Sequence, residues 1–313
     1  MSTWFLRRLR KLGPHGGARC IPVVEYLEAR ARGALEVEQQ FYEGLLLPNG
    51  VYRTTTTGRM DDLLPLLVER ARGLSPAPLR ILDVACSSGV STVEMHRAFE
   101  AAGIPCETWG SDLILEADYV RREDGVGMLF DPEGRLLQIE IGAWASPWKW
   151  RPRDLALRPW LSLRARRLVR RDAETFRASR TQSMAGYQTR RVSFLSSLAE
   201  SGGGVRFAPE NILSPRIPGS FGVIRAANIL NRGYFDAATL RRMAAALCAR
   251  LVPGGLLLAV RTEGPQATNR ATLFRRRPDG LDVLDRVNGG SEVEVILTGA
   301  CGEGVPALPR KGA

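Results

Sequence analysis

The sequence predicts an α/β fold with a Rossmann-like, doubly wound and mostly parallel sheet. Its 313 residues, 44% of them hydrophobic, are enough to bury one large core. From residue 79 onward short apolar runs alternate with helical patterns, which is typical of parallel strands joined by crossover helices. The runs are Arg80–Ala85, Glu107–Gly110, Val205–Phe207, Phe221–Ala226 and Gly255–Val260, and the strongest helices are Thr92–Ala102 and Asp236–Leu251.

The residues before this alternation predict a helical N-terminal region over residues 1–75. Apolar side chains recur at helical spacing in Pro22–Arg32, Ala34–Leu47 and Met60–Ala71. An earlier stretch, Trp4–Leu12, mixes tryptophan and leucine with arginine and predicts a basic amphipathic helix. We therefore expect a helical region that precedes a main domain covering residues 76–313.

Residues 118–195 interrupt the alternation, and we expect them to form an insertion that caps the main domain. Two apolar stretches, Met128–Phe130 and Leu136–Ile141, flank a turn that contains proline and glycine, which predicts a β-hairpin. A basic amphipathic helix is expected over Leu155–Leu168, broken at its proline. No internal repeat is visible.

The C-terminal part departs from the parallel pattern. Thr272–Arg276 and Val293–Leu297 are rich in residues that favour strands, with Asp279-Gly280 as a turn signal between them. We expect these two stretches to pair as antiparallel strands at the edge of the sheet. Residues 301–313 are expected to form a loose tail.

The net charge of +11 is concentrated in two segments. Residues 149–191 hold 13 lysines and arginines against three acids, and residues 1–19 hold five basic residues and no acid, so the remaining chain is net negative. The first segment could be a cap whose arginines are solvated while its tryptophans pack on the core. It could also contact an anionic membrane surface, with Trp4–Leu12 as a second contact, or dock on an acidic protein partner. Nucleic acid is not excluded, although no recognisable RNA-binding module is present. The tryptophans concerned are Trp144, Trp148, Trp150 and Trp160.

The remaining composition bounds the cellular setting and the chemistry. The five cysteines form no CxxC pair and there are only two histidines, so we expect no metal site. No apolar run reaches the length of a membrane span, and the N-terminus is too charged for a signal peptide. We expect a cytoplasmic protein, with peripheral contact to a membrane left open.

The stretch Ile81–Gly89 reads as a buried strand, a tight turn and the start of a helix. Its small residues let the backbone approach a ligand closely, and a helix N-terminus offers N–H groups. Asp83 is an acid at the end of the apolar run, and we expect it to bind N–H groups of the loop or an amino group of a ligand. The small residues are Ala85, Cys86, Ser87, Ser88 and Gly89.

This stretch resembles motif I of the class I S-adenosylmethionine-dependent methyltransferases, which consists of two hydrophobic residues, an acid and a spaced set of glycines. Other landmarks of that family follow in the expected order over residues 79–116 and 205–262. Trp109–Leu113 resembles the end of the second strand, Phe207–Leu213 the segment after the third strand, Phe221–Leu230 motif IV, and Leu247–Ala259 the helix, turn and fifth strand. Within the family, Ala85–Gly89 and the segment from Asn228 to Asp236 lean toward the chemotaxis-receptor glutamate methyltransferases.

The resemblance implies S-adenosyl-L-methionine as the cofactor and assigns roles to its neighbours. Ala85–Gly89 would lie against the methionine part, and Asp112, with Leu113 beside it, would bind the ribose hydroxyls. In the segment after the third strand, adenine would be contacted from among Glu210, Asn211 and Ile212. Asn228 is expected in the pocket, and Asn228 and Tyr234 are the candidates for a catalytic role on the acceptor side.

Two functions from different classes follow. The first is methyl transfer by in-line displacement to an unidentified acceptor, either a small molecule or a protein side chain. The second is a non-catalytic, methyltransferase-like protein with a regulatory or scaffolding role, associated with a membrane or an acidic partner through its basic insertion. Ala85 and Ser87 keep the second function open, because they replace the first two glycines of the motif and a positive φ would strain them.

Overall fold

A computed structural model describes residues 20–45, 47, 56–74, 77–148, 159–263 and 267–299. The expected helix at Trp4–Leu12, Trp150 and the expected tail at residues 301–313 lie outside the described residues. The described residues fall into two compact units. One unit draws on Met1–Thr55 and Ile114–Glu200, and the other draws on Thr56–Leu113 and Ser201–Ala313.

The helices and strands are numbered in chain order. The helices are α1 (Val23–Ala31), α2 (Leu35–Gly44), α3 (Leu64–Ala71), α4 (Val90–Ala101), α5 (Pro159–Ala178), α6 (Ser197–Ser201), α7 (Ala237–Ala249) and α8 (Glu294–Thr298). The strands are β1 (Leu79–Val84), β2 (Cys106–Asp112), β3 (Glu116–Arg122), β4 (Val126–Phe130), β5 (Leu136–Ile141), β6 (Trp144–Pro147), β7 (Tyr187–Ser193), β8 (Val205–Pro209), β9 (Phe221–Ala227), β10 (Leu251–Glu263), β11 (Thr268–Arg277) and β12 (Gly280–Val287).

The second unit is built on a seven-stranded sheet with the order β12-β11-β10-β9-β1-β2-β8. Strands β8, β2, β1, β9 and β10 run parallel, and β11 and β12 are antiparallel, so the predicted fold class is confirmed. One face packs against α7 and α8, and the other packs against α3 and α4. Alternate residues of β1 serve the two faces, since Leu82 and Val84 lie on the first and Ile81 lies on the second.

The antiparallel edge forms with a different partner from the expected one. The expected strand at Val293–Leu297 is wrong, because Glu294–Thr298 is a helix and β11 pairs with β12 through a two-residue turn. Val293, Ile296 and Leu297 are buried while Val295 is 78% exposed. That spacing of buried residues is the spacing of one helix face, whereas a strand would bury every second residue.

The first unit is built on an antiparallel sheet with the order β6-β5-β4-β3-β7, and the expected hairpin is its β4–β5 pair. Helix α5 packs on one face through Ala165 and Phe176. Helices α1 and α2 pack with Tyr119, Leu129 and Leu137 of the sheet. Helix α5 covers Pro159–Ala178 and so extends past the expected end at Leu168, while residues 155–158 of the expected helix lie outside the described residues.

The helical region expected over residues 1–75 does not form a unit of its own. Helices α1 and α2 belong with the five-stranded sheet, and α3 belongs with the seven-stranded sheet. Buried polar contacts explain the first association. The Glu140 carboxylate accepts hydrogen bonds from the Val23 backbone N–H (2.5 Å) and the Tyr119 hydroxyl (2.7 Å), and Glu38 accepts two from Ser197. Within the described residues, no helix has the length and apolar character that a membrane span requires.

Candidate functional site

The candidate site lies at the carboxyl ends of the parallel strands in the seven-stranded sheet. Strand β1 is paired with β2 on one side and with β9 on the other. Ligands of open α/β sheets bind where the strand order reverses, outside these carboxyl ends. The loops that meet there are Ala85–Gly89 after β1, Leu113 after β2 and Asn228 after β9.

The turn after β1 has an unusual backbone. Ala85 and Ser87 both have φ of 57°, and Gly89 has φ of 78°, so three of five residues are left-handed. The Cys86 N–H donates to the Ser111 carbonyl (2.9 Å) and the Gly89 N–H donates to the Cys86 carbonyl (3.0 Å). These hydrogen bonds fix a turn that two of its residues disfavour.

Left-handed residues other than glycine are concentrated at this edge of the sheet. Of the five such residues in the described part of the chain, Ala85, Ser87 and Asn228 end β1 and β9, while Ala267 and Asn288 belong to turns around β11 and β12. Each left-handed residue of this kind costs about 1–3 kcal/mol and persists only where its surroundings hold it in place. Such strain collects at functional sites, and here it collects on two adjacent central strands.

Asp112 connects the end of β2 to the turn after β1. Its Oδ2 accepts a hydrogen bond from the Ser87 N–H at 2.8 Å, and the side chain is half-buried. Leu113 follows with half of its surface exposed. The structure therefore brings Asp112 and the small-residue turn together, as their sequence pattern predicts.

Asp83 has a different partner from those expected. Its carboxylate accepts two hydrogen bonds from the Arg225 guanidinium, at 2.9 and 2.6 Å, and one from the Thr92 hydroxyl at 2.6 Å. Asp83 and Arg225 lie opposite each other on β1 and β9, and both are buried. The expectation that Asp83 binds loop N–H groups or a ligand amino group is therefore replaced by a buried ion pair beneath the turn.

Arg225 is a buried residue of this region that the sequence pattern does not predict as part of the site. It is the only charged residue in the apolar run Phe221–Ala227, and a single charge within such a run is the sequence feature that indicates a buried, paired side chain. Its side chain is 1% exposed, and its Nη1 has no hydrogen-bond partner among the described residues. The charge of Arg225 acts on the carboxylate of Glu94 in α4, which accepts a hydrogen bond from the Gly58 N–H at 2.8 Å. Burial raises the pKa of Glu94, and the Arg225 charge opposes that shift.

The segment after β8 contributes less than expected. The Glu210 carboxylate is buried and accepts hydrogen bonds from the Arg250 guanidinium (2.6 Å) and from the backbone N–H groups of Arg216 (2.8 Å) and Ile217 (2.7 Å). Because the carboxylate oxygens of Glu210 already accept these hydrogen bonds and hold the loop together, contact with an adenine base is disfavoured. Asn211 is exposed and accepts the Leu213 N–H at 2.9 Å, and Ile212 packs on the core.

Asn228 is held by the end of β10. Its Oδ1 accepts the Thr262 N–H at 2.7 Å, and its Nδ2 donates to the Thr262 hydroxyl at 3.3 Å. The same hydroxyl receives a hydrogen bond from Arg59 at 3.2 Å and donates one to Asn269 at 2.8 Å. This network orders the loop end of β9, where Asn228 lies. Tyr234 lies further along that loop with 47% of its surface exposed.

Within the part of the chain that the structure describes, no three side chains of histidine, cysteine, aspartate or glutamate could hold a metal ion. His96, in α4, is buried with its Nδ1 3.0 Å from the Thr108 hydroxyl, so it packs behind β2. Cys86 is buried within the turn. The arrangement offers the backbone of the Ala85–Gly89 turn, the half-buried carboxylate of Asp112 and the exposed apolar side chain of Leu113.

Comparison with known proteins gives structural likenesses only. No protein-family model matches the chain, and no curated protein matches it. An amino pentose methyltransferase from Micromonospora echinaspora, CalS10, solved with bound SAM, is similar over 72% of this chain at 17% identity, with a TM-score of 0.31. An O-methyltransferase family protein from Burkholderia thailandensis is similar over 76% of the chain at 16% identity, with a TM-score of 0.30.

A third structure is the N-methyltransferase NodS from Bradyrhizobium japonicum, in complex with S-adenosyl-L-homocysteine. It is similar over 74% of this chain and 76% of its own, at 13% identity and a TM-score of 0.33. The chain spans 66% and 45% of the first two proteins. None of the three is described as a chemotaxis-receptor methyltransferase, so the expected lean toward that type has no support.

Proposed function

We propose that the unit built from residues 56–113 and 201–313 binds S-adenosyl-L-methionine and transfers its methyl group to an acceptor. The observation that carries the proposal is the turn after β1, where Ala85, Ser87 and Gly89 are left-handed and the Ser87 N–H is bound by Asp112. A strained backbone, closed against the next strand by a carboxylate, suits a ligand that must be approached closely.

Two buried polar atoms near the turn after β1 bear on whether a polar cofactor fits there. The Ser88 hydroxyl oxygen and the Arg225 Nη1 are buried and have no hydrogen-bond partner among the described residues. A buried polar atom without a partner costs about 1–3 kcal/mol, so a polar ligand nearby would be stabilising. Ser88 belongs to the turn after β1, and Arg225 pairs with Asp83, which lies two residues before that turn, so a polar group bound beside the turn would be close to both residues in the fold.

Individual residues would hold different parts of the cofactor. The backbone of Ala85–Gly89 would lie against the methionine part, and the Asp112 carboxylate would accept hydrogen bonds from the ribose hydroxyls. Leu113, Asn211 and Ile212 would contact the base, and Glu210 is omitted because Arg250 and two backbone N–H groups occupy it.

When bound, the cofactor supplies an electrophilic methyl group that an acceptor can attack in line. The chain then has to position the acceptor and exclude water. Asn228, fixed by Thr262, would shape that side of the pocket. Tyr234 has an exposed phenol that could hydrogen-bond the acceptor. A general base is needed only for an acceptor that carries a proton on its nucleophilic atom.

Equilibrium binding of S-adenosylmethionine and S-adenosylhomocysteine to the full chain, measured by calorimetry, tests the proposal. We expect Asp112→Ala to weaken binding by about 1–3 kcal/mol, because a carboxylate that binds hydroxyls would be lost. Asp282→Ala is the matched control, since this acid lies on β12 and pairs with Arg277 of β11. Absence of saturable binding in the wild type would refute the proposal. Equal affinity of Asp112→Ala and wild type would remove Asp112 from the site.

A further inference from the structure

Helix α5 has an outward face with large exposed apolar side chains. Its inward face packs on the five-stranded sheet through Ala165 and Phe176, which are fully buried. On the outward face Trp160 is 84% exposed and Leu163 is 51% exposed. Residues three and four apart share one helix face, so these two side chains lie side by side. Exposed apolar side chains that lie together and are bordered by charged residues are typical of interaction surfaces.

Three arginines continue the same face toward the C-terminal end of the helix. Arg164 and Arg167 follow Trp160 and Leu163 by four residues each, and Arg170 follows Arg167 by three. All three are exposed, and none makes an ion pair within the described residues. We call Trp160, Leu163, Arg164, Arg167 and Arg170 the outward face of α5.

The acids of α5 do not neutralise this face. Asp172 is 12% exposed and binds Arg171 (2.7 Å) and Arg122 (2.8 Å). Hydrogen bonds from Arg171 lower the pKa of Asp172 to about 2, so its charge is used in that cluster. Glu174 forms an ion pair with Arg177. Among the described residues, the outward face therefore presents positive charge that no acid pairs with, beside exposed tryptophan and leucine.

From this pattern we infer that the outward face of α5 docks on a bilayer surface that contains anionic phospholipids. The guanidinium groups would contact lipid phosphates, while Trp160 and Leu163 enter the boundary between headgroups and acyl chains. Nucleic acid offers phosphates and bases on which Trp160 could stack, but it offers nothing to Leu163. An acidic protein surface matches the arginines but does not require two exposed apolar side chains. The bilayer surface accepts both kinds of side chain.

Sedimentation of the full chain with vesicles tests the inference. The vesicles are of phosphatidylcholine alone, or of phosphatidylcholine mixed with phosphatidylglycerol, at low and at high salt. We expect binding to the anionic vesicles only, and weaker binding at high salt because the charges are exposed. The triple variant Arg164→Gln, Arg167→Gln, Arg170→Gln should lower the binding constant roughly a hundredfold, since each arginine near an anionic surface adds about fivefold.

Two matched controls separate this face from net charge and from general hydrophobicity. The triple variant Arg232→Gln, Arg241→Gln, Arg242→Gln removes the same charge from exposed positions of the other unit, and we expect unchanged binding. The double variant Trp160→Ala, Leu163→Ala should weaken binding at both salt concentrations. Leu35→Ala with Val295→Ala, which also removes two exposed apolar side chains, should not.

Three results would overturn the inference. The first is equal recovery of the wild type in the supernatant with and without anionic vesicles. The second is equal loss of binding in the two arginine triple variants, which would indicate a response to net charge only. The third is unchanged vesicle binding of Trp160→Ala, Leu163→Ala together with displacement of the protein from vesicles by a single-stranded RNA homopolymer, which would point to nucleic acid. Thermal unfolding of each variant confirms that a loss of binding is not a loss of folding.

Discussion

Each of the two sheets contains a buried acid, and the two acids are satisfied in different ways. Asp83 in the seven-stranded sheet and Glu140 in the five-stranded sheet are both 2% exposed. Asp83 is paired with the Arg225 guanidinium, whereas Glu140 accepts hydrogen bonds from neutral groups, including the Tyr119 hydroxyl and the Val23 N–H. Burial accordingly raises the pKa of Glu140. A buried acid with a cationic partner depends on that partner, and a buried acid with neutral partners depends on pH.

The largest expected effect comes from breaking the pair in the seven-stranded sheet. Arg225→Met keeps much of the side-chain volume but leaves Asp83 buried without a cation. We expect a loss of about 3–5 kcal/mol in the free energy of unfolding, measured by urea denaturation. The double variant Asp83→Asn, Arg225→Met should recover part of the loss, because no charge is then buried. A loss below about 1 kcal/mol in the single variant would show that the pair is dispensable.

A smaller effect, with a pH signature, is expected in the five-stranded sheet. Because the folded-state pKa of Glu140 is raised, the folded protein holds this proton more tightly than the unfolded chain does. The stability is therefore full below the unfolded pKa and falls as pH rises through the folded pKa. Glu140→Gln keeps an acceptor for the Val23 N–H and should remove this loss, which is about 1.4 kcal/mol for each unit of pKa shift.

The measurement is the free energy of unfolding of wild type and Glu140→Gln between about pH 4 and pH 8. Glu294→Gln is the control, since hydrogen bonds from Arg286 lower the pKa of Glu294. Its difference from wild type should be constant above the unfolded pKa. Parallel pH profiles of wild type and Glu140→Gln would contradict the assignment of the pH dependence to Glu140.

The smallest effect is expected at the turn after β1. Ala85→Gly removes the side chain that disfavours φ of 57°, so stability should stay within about 0.5 kcal/mol of wild type or rise. Ala85→Val should cost about 1–3 kcal/mol, because a branched side chain resists a left-handed backbone. Ala98→Gly in α4 is the control and should cost about 1 kcal/mol. Equal losses for Ala85→Gly and Ala98→Gly would mean that Ala85 is not strained.

The two sheets also differ in how far the sequence predicted them. The parallel strands were predicted because each is a short apolar run, and because helices follow two of them, β1 and β9, which is a local pattern. The antiparallel sheet was found only at the β4–β5 hairpin, where a tight turn joins neighbouring strands. Strands β3 and β7 pair with each other although almost the whole inserted segment separates them in the sequence, so no local pattern predicts their pairing. Its exposed arginines, Arg190 and Arg191, also look like a solvated segment.

For the candidate site, the sequence predicted positions better than it predicted contacts. Ala85–Gly89, Asp112 and Asn228 do lie at the carboxyl ends of adjacent strands. The left-handed backbone of Ala85 and Ser87 could not be read from their residue types, because alanine and serine ordinarily avoid it. The role of Glu210 could not be read either, since its partner Arg250 follows 40 residues later at the end of α7.

The sequence by itself determined the mostly parallel sheet, the turn after β1 and the basic character of α5, because each of these depends on neighbouring residues. The tertiary structure decided which acids are available to a ligand. Asp83 and Arg225 are 142 residues apart in the chain, and only the parallel pairing of β1 with β9 places them opposite each other. The sequence does not show whether a distant cationic side chain pairs with an acid. The fold decides this, because a buried ion pair forms between residues that only tertiary packing brings together.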